Sequence, residues 1–440
     1  MKKEDIQNLD QIKNIIFSNK LKFDSKKNEF FSQKIKDVGN IKKLKVGTAF
    51  SGVGAFEQCL QILDIPHEII FACDNGGIMF EDIVKSEELK VFNKIKNKQE
   101  KLNFVEEVYK KNKRNNFVKQ SYLANYELKE DSFYHDIRFL GKHIKKDIDI
   151  FVGGSPCQSF SVAGARGGFE DTRGTLFFEF ARCVKEFQPK VFIYENVKGL
   201  TYHDGGKTFA TVLNTFDELG YKYFYKILNS KDYGIPQSRN RIFVIGFRDK
   251  NIDFDFPEKE ELNYTMADFL IGEVDAKYTL SEKAKKFVLD ENRIAKSRTQ
   301  INGEVALCQM ARQQVNCNGD FVDDKYFLSE KLIKCVMQTE SRNGSMKFNP
   351  TINTEIAKTL TATMHKMHRA SMDNYVTTQG RLRRLTPREC FRLMGFPDTF
   401  KFVVSDLQLY KQAGNSIVVD VLMAITKEII KTKVFDKSLI

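Results

Sequence analysis

Residues 44–56 read Leu44-Lys45-Val46-Gly47-Thr48-Ala49-Phe50-Ser51-Gly52-Val53-Gly54-Ala55-Phe56. A short, mostly apolar run gives way to a turn with two glycines and then to a helical start, the order of a strand that hands over to a helix. Paired glycines let a backbone turn tightly and approach a ligand. A nucleotide-like cofactor and a plain structural turn both satisfy this pattern. Beyond it, short apolar runs continue to alternate with helical stretches as far as about residue 268. Strands are expected over 44–50, 68–73, 148–153, 191–195, 221–228 and 241–247, with helices between them, for example over 176–187 and 208–219. Alternation of this kind predicts an α/β fold with a doubly wound, mostly parallel sheet.

The rest of the chain differs. Residues 1–42 form a polar, basic extension, and residues 43–268 the large domain. Within the latter, 85–119 holds eleven Lys or Arg against five acidic residues. It reads as a helical insertion with a solvated face. The alternation fades after residue 269, so a smaller domain is placed over 269–410. Residues 411–440 form a closing segment, with an amphipathic helix expected over 417–434.

Composition narrows the function classes. With 440 residues and 42% of them hydrophobic, the chain can bury a substantial core. No apolar run approaches the ~18 residues of a membrane span, and no apolar stretch follows the charged start Met1-Lys2-Lys3-Glu4-Asp5. A cytoplasmic protein without a membrane partner is therefore expected. The eight cysteines are scattered singly, which argues against zinc fingers and CxxC redox chemistry. A net charge of +12 favours a polyanionic partner, nucleic acid first.

Further motifs stand at expected strand ends. Asp74 closes the second strand, where such sheets hold ribose hydroxyls, and Asp136 could lie in the same cleft; either could equally cap a helix. The strand at 148–152 runs into Gly153-Gly154-Ser155-Pro156-Cys157-Gln158-Ser159-Phe160-Ser161, which throws a thiol onto a loop. Glu195, after four apolar residues in Glu195-Asn196-Val197, is a proton donor if burial favours its protonated form, or else a capping carboxylate. In Gln237-Ser238-Arg239-Asn240-Arg241 the alternate arginines would point to one face and grip a carbonyl or phosphate, or form surface ion pairs.

Taken in order, FSGVGAF, SPCQSFS, ENV, QSRNR, RRLTPRECFRLMGFPD and QAGNS resemble the cytosine-C5 DNA methyltransferase family, of the bacterial restriction-modification type, from residue 43 to 440. Intervals of 38 residues from Cys157 to Glu195 and 44 from Glu195 to Arg239 also look like the family's. Ser51 and Ala55 stand where many members have Ala and Gly, and the 85–119 insertion is absent from the shortest members.

The resemblance implies a Rossmann-like fold, S-adenosylmethionine as cofactor without a metal, and transfer of its methyl group to C5 of a cytosine flipped out of double-stranded DNA. It implies Cys157 as the nucleophile that adds to C6, Glu195 at N3, Asn196 holding the loop, Arg241 at the cytosine O2, and Arg239 fixing the Cys157 loop or that carbonyl. The donor is expected across Phe50, Ser51, Gly52, Val53, Gly54, Asp74, Asp136, Ile137, Pro156 and Leu176, closed by Asn415 and Ser416. The Cys157 loop would close as a lid, with Gln158, Arg166 and Arg173 at the DNA and Gln237 beside them. Site reading is expected in the small domain. The Thr359-Leu360 pair matches a family pattern there, and His365, Lys366, His368 and Arg369 could reach base edges or phosphates. A cognate restriction endonuclease acting separately and a monomeric state complete the expectation.

Overall fold

A computed structural model describes residues 41–144, 147–156, 176–271, 357–358, 375–378 and 381–436. They fall into two compact units. One, the sheet unit, holds the described residues between Lys36 and Leu228, those of Asn240–Glu258, and those from Leu422 onward. The second holds Asn229–Arg239 and the described residues between Lys259 and Val421.

In the sheet unit the strands are β1 (Leu44–Ala49), β2 (His67–Cys73), β3 (Phe133–Tyr134), β4 (Ile150–Gly153), β5 (Val191–Val197), β6 (Lys222–Asn229) and β8 (Asn240–Phe247). A two-residue strand, β7 (Gln237–Ser238), intervenes in the chain but lies in the other unit. The sheet order is β3-β2-β1-β4-β5-β8-β6. Strands β1 to β5 pair in parallel, and β8 runs antiparallel to β5. This is the mostly parallel, doubly wound architecture that the alternation of apolar runs predicts. The two-residue β3 is too short to leave a sequence signal.

Parallel strands are covered on both faces, so they read as continuous apolar runs rather than alternating ones. Thus β4 and the first four residues of β5 are buried throughout. Phenylalanine fills the space between the sheet and its helices α5 (Leu176–Phe187) and α6 (Lys207–Glu218). Phe151 stacks on Phe180 at 4.8 Å, and Phe192 lies 4.4 Å from Phe216. Each such ring contributes about 1.5–3 kcal/mol through burial, before the entropy of ordering it is subtracted.

After β1 comes α1 (Ala55–Ile62), and after β2 the chain builds α2 (Ser86–Lys94), α3 (Lys98–Lys111) and α4 (Phe117–Asn125). The insertion is helical, as its composition indicates, and α2 buries no residue. Leu102, Val105, Val108 and Tyr109 of α3 recur at helical spacing and are buried. Val105, Val108 and Tyr109 form a satellite core with Ile78 and Phe80.

The second unit pairs β7 in parallel with β9 (Ala357–Lys358), and β10 (Tyr375–Thr378) antiparallel to β11 (Arg381–Arg384). Helix α7 (Pro387–Leu393) starts on a capping box: Glu389 N–H donates to the Thr386 hydroxyl at 3.3 Å, and Thr386 N–H to the Glu389 carboxylate at 2.7 Å. Helix α8 (Asp406–Asn415) follows. Helix α9 (Val419–Lys431) begins in this unit and continues into the sheet unit from Leu422.

Candidate active site

Register places three chain ends together. Ala49 pairs with Cys73 on one side and with Gly153 on the other. Phe50, Asp74 and Gly154 therefore leave the sheet as neighbours, between β1 and β4, where the order of the strands reverses. Ligands of open α/β sheets bind at this point, beyond the carboxyl ends of the strands.

The loop after β1 has positive φ at Phe50, Gly52 and Gly54. Gly52 N–H donates to Asp74 Oδ2 at 3.0 Å, and Gly76 N–H to Asp74 Oδ1 at 2.8 Å. Burial holds the Asp74 carboxyl above the usual carboxylate range, opposed by these two amides. A Cβ added to Gly52 would meet nothing within 4 Å, so open space adjoins the backbone there. This cradle fits a nucleoside-like group held by main-chain atoms and one carboxylate.

Other members of the expected donor set differ in exposure. Val53 is buried, and the Ser51 hydroxyl accepts from Cys73 N–H at 2.9 Å. Asp136 turns its carboxylate to Arg138, which donates from its backbone N–H at 3.0 Å, Nε at 2.9 Å and Nη2 at 2.6 Å. Ile137 is buried beside it. Leu176 opens α5 and packs against the main core, and Pro156 is exposed.

Strand β5 sorts its last residues by parity. Tyr194 and Asn196 share one face, and Glu195 points to the other. Asn196 Nδ2 donates to the Ser155 carbonyl at 3.0 Å and to Tyr194 Oη at 2.8 Å, while Tyr194 Oη lies 2.8 Å from Ser155 Oγ. Asn196 thus holds the backbone two residues before Cys157. On the opposite face Glu195 Oε1 lies 3.0 Å from Arg241 Nε, with the two side chains 13% and 18% exposed. Gly154 passes so close that a Cβ there would stand 2.7 Å from the Glu195 carbonyl and 2.9 Å from Oε2. Cys157 itself lies outside the described residues, as do Gln158, Arg166, Arg173, Thr359, Leu360, His365, Lys366, His368 and Arg369.

Two expectations for the QSRNR motif are corrected. The arginines do not act as a pair on one strand face: β8 starts at Asn240, and Arg239 precedes it. The Arg239 guanidinium is buried in the second unit and donates to the carbonyls of Gly414 at 3.0 Å and Ser416 at 2.7 Å. Gln237, expected at the DNA, is fully buried, and its amide donates to the Leu393 carbonyl at 2.7 Å. A side chain so enclosed is an internal tie. Asn415, between the two carbonyls that Arg239 grips, is exposed, whereas Ser416 is buried.

Sequence reasoning missed Tyr194, Asn116, Arg138, Tyr122 and Tyr126. The parity of Tyr194 with Asn196 was an available signal. Among the described residues no group of His, Cys, Asp and Glu could hold a metal ion, and no helix is long and apolar enough to cross a membrane.

Residues 87–431 match the family described as C-5 cytosine-specific DNA methylase. Type II methyltransferase M1.ScrFI of Lactococcus lactis subsp. cremoris is 36% identical over 70% of this chain and 68% of its own length. Orphan methyltransferase M.SPRI of Bacillus phage SPR is 30% identical over 90% of this chain and 99% of its own. Type II methyltransferase M.HhaI of Haemophilus parahaemolyticus is 36% identical over 67% and 79%. The fold alone is shared with the crystal structure of S. pombe Dnmt2 methyltransferase, at TM-score 0.55 and 16% identity over 88% of this chain and 98% of that one. The chain belongs to the C-5 cytosine-specific DNA methylases and is a DNA (cytosine-5-)-methyltransferase.

Proposed function

We propose that the protein methylates C5 of a cytosine flipped from a short, specific double-stranded DNA sequence, through a covalent bond between Cys157 and C6. The observation that carries this is the Glu195–Arg241 pair at 3.0 Å beside the Gly154–Ser155 backbone that leads into Cys157. C5 of cytosine is a weak nucleophile until a thiolate adds to C6 and returns electron density to the ring. Stacked in a duplex, the base is out of reach, so it must be extruded into the pocket.

The chain's groups divide the work. The Cys157 thiolate forms the bond to C6, and N3 gains the displaced electron density. Glu195 shares a proton with N3, and Arg241 holds that carboxylate in place through Nε and would bind the base carbonyl through Nη2, its Nη1 donating to the Asn240 carbonyl at 2.8 Å. Asn196 and Tyr194 fix the Ser155 backbone, which limits where Cys157 can stand. S-adenosylmethionine, when bound, supplies the methyl group as an activated sulfonium. Gly52, Gly54 and Asp74 would hold it at the end of β1 and β2. A base then removes the C5 proton, the sulfur leaves C6, and N3 gives its proton back to Glu195. The type II names among the relatives support a restriction-modification setting with a separate endonuclease.

Fluorine at C5 of the target tests the nucleophile. Addition and methyl transfer still occur, but fluorine cannot leave as a cation, so the enzyme stays linked to the DNA. The wild type should give a complex that survives boiling in detergent, and Cys157→Ser should give none. An adduct in the serine variant, or one whose peptide contains Cys183 or Cys390, overturns the assignment.

A further inference from the structure

One helix of the sheet unit reaches both loops of the donor cradle. At its start, Asn116 caps α4 by accepting from Lys119 N–H at 2.9 Å and donates to the Asp74 carbonyl at 2.8 Å. Just past its end, Tyr126 Oη donates to the Gly54 carbonyl at 2.7 Å. The Tyr126 ring occupies the place that a Gly54 Cβ would take, at 2.2 Å. These two anchors are about 15 Å apart along the helix axis, each on a different loop.

A chain of hydroxyls completes the brace. Cys73 N–H donates to Ser51 Oγ at 2.9 Å, and Ser51 Oγ lies 2.8 Å from Thr48 Oγ1. Thr48 in turn donates to Glu57 Oε1 at 2.8 Å, and Tyr122 Oη donates to the same oxygen at 2.5 Å. Glu57 is a buried acceptor for both hydroxyls, so Thr48 Oγ1 accepts from the Ser51 hydroxyl, whose own lone pair receives the β2 amide.

We propose that Tyr126, Tyr122 and Asn116 are positioning residues for the methyl donor, through which α4 sets the backbone of both donor loops. The inference rests on reading those loops as the donor's seat. Burial keeps both phenols far above their ordinary pKa, so they remain donors throughout the working pH range.

The test is isothermal titration of the full chain with S-adenosylhomocysteine, together with steady-state kinetics. Tyr126→Phe removes one hydroxyl and should weaken binding about five-fold, with the donor KM rising in proportion and kcat falling by less than that factor. Tyr221→Phe is the control. It removes an equally buried hydrogen bond, to the Pro189 carbonyl at 2.7 Å before β5, and should leave affinity for S-adenosylhomocysteine unchanged. Equal affinity in wild type and Tyr126→Phe, or the same loss in Tyr221→Phe, overturns the inference alone. A wild type that binds no S-adenosylhomocysteine overturns the donor reading and this inference with it. Should Tyr126→Phe fail to fold, Tyr122→Phe probes the same brace with the same expected and overturning results.

Discussion

Glu195 and Asn196 are adjacent in sequence and opposite in role because a strand sends successive side chains to opposite faces. Asn196 holds the Ser155 carbonyl, while Glu195 pairs with Arg241 on the other face, where the proposed mechanism puts the base. Replacing Glu195 by Gln keeps shape and one acceptor but removes the proton-sharing carboxylate. Single-turnover methylation should fall by about 10²-fold or more, with DNA affinity by gel shift within a few-fold of wild type. Equal losses of both would make Glu195 structural. These two residues were legible in the sequence because an apolar strand ends on them. Arg239 was not, since its partners, the carbonyls of Gly414 and Ser416, lie about 175 residues away and are main-chain atoms with no side-chain signature.

The loop between β1 and α1 shows how one element separates folding from binding. Gly52 and Gly54 both have positive φ, but only Gly54 is packed, against Tyr126. Gly54→Ala combines left-handed strain with a steric clash and should cost about 2–4 kcal/mol, read as a lower urea midpoint. Gly52→Ala incurs the strain alone, about 1–2 kcal/mol, but puts a methyl group where a ligand would lie. It should therefore weaken S-adenosylhomocysteine binding by about ten-fold or more while remaining the more stable of the two. The reverse order of stability would mean that Tyr126 yields. The glycine turn itself could be read directly, because its residue types state the backbone requirement. The brace from α4 could not, because Tyr122 and Tyr126 look like ordinary core residues until the fold shows what their hydroxyls meet.

At the scale of the whole chain, the units and the sequence do not run in step. The division passes between Arg239 and Asn240, inside a motif that reads as one strand, so its two arginines serve different units. Spacing could place the motif but not that crossing, which depends on contacts distant in sequence. If site choice resides between about 300 and 375, exchanging that span with another family member should change the methylated sequence, read by bisulfite sequencing, and preserve the chemistry. An active chimera with unchanged specificity would place recognition elsewhere.

Helix α9 has a consequence for synthesis. Its later turns belong to the sheet unit, where Leu422, Ile425 and Ile429 are buried and Cys59 Sγ of α1 lies 3.6 Å from Thr426 Oγ1. Ribosomes deliver chain from the amino end at roughly 5–20 residues per second, so α1 is made tens of seconds before its cover. Through that interval the nascent chain keeps an uncovered greasy flank around Cys59 and Leu60, a natural perch for holdase chaperones. A message truncated before α9 would leave that flank bare for good, and its product should collect in inclusion bodies.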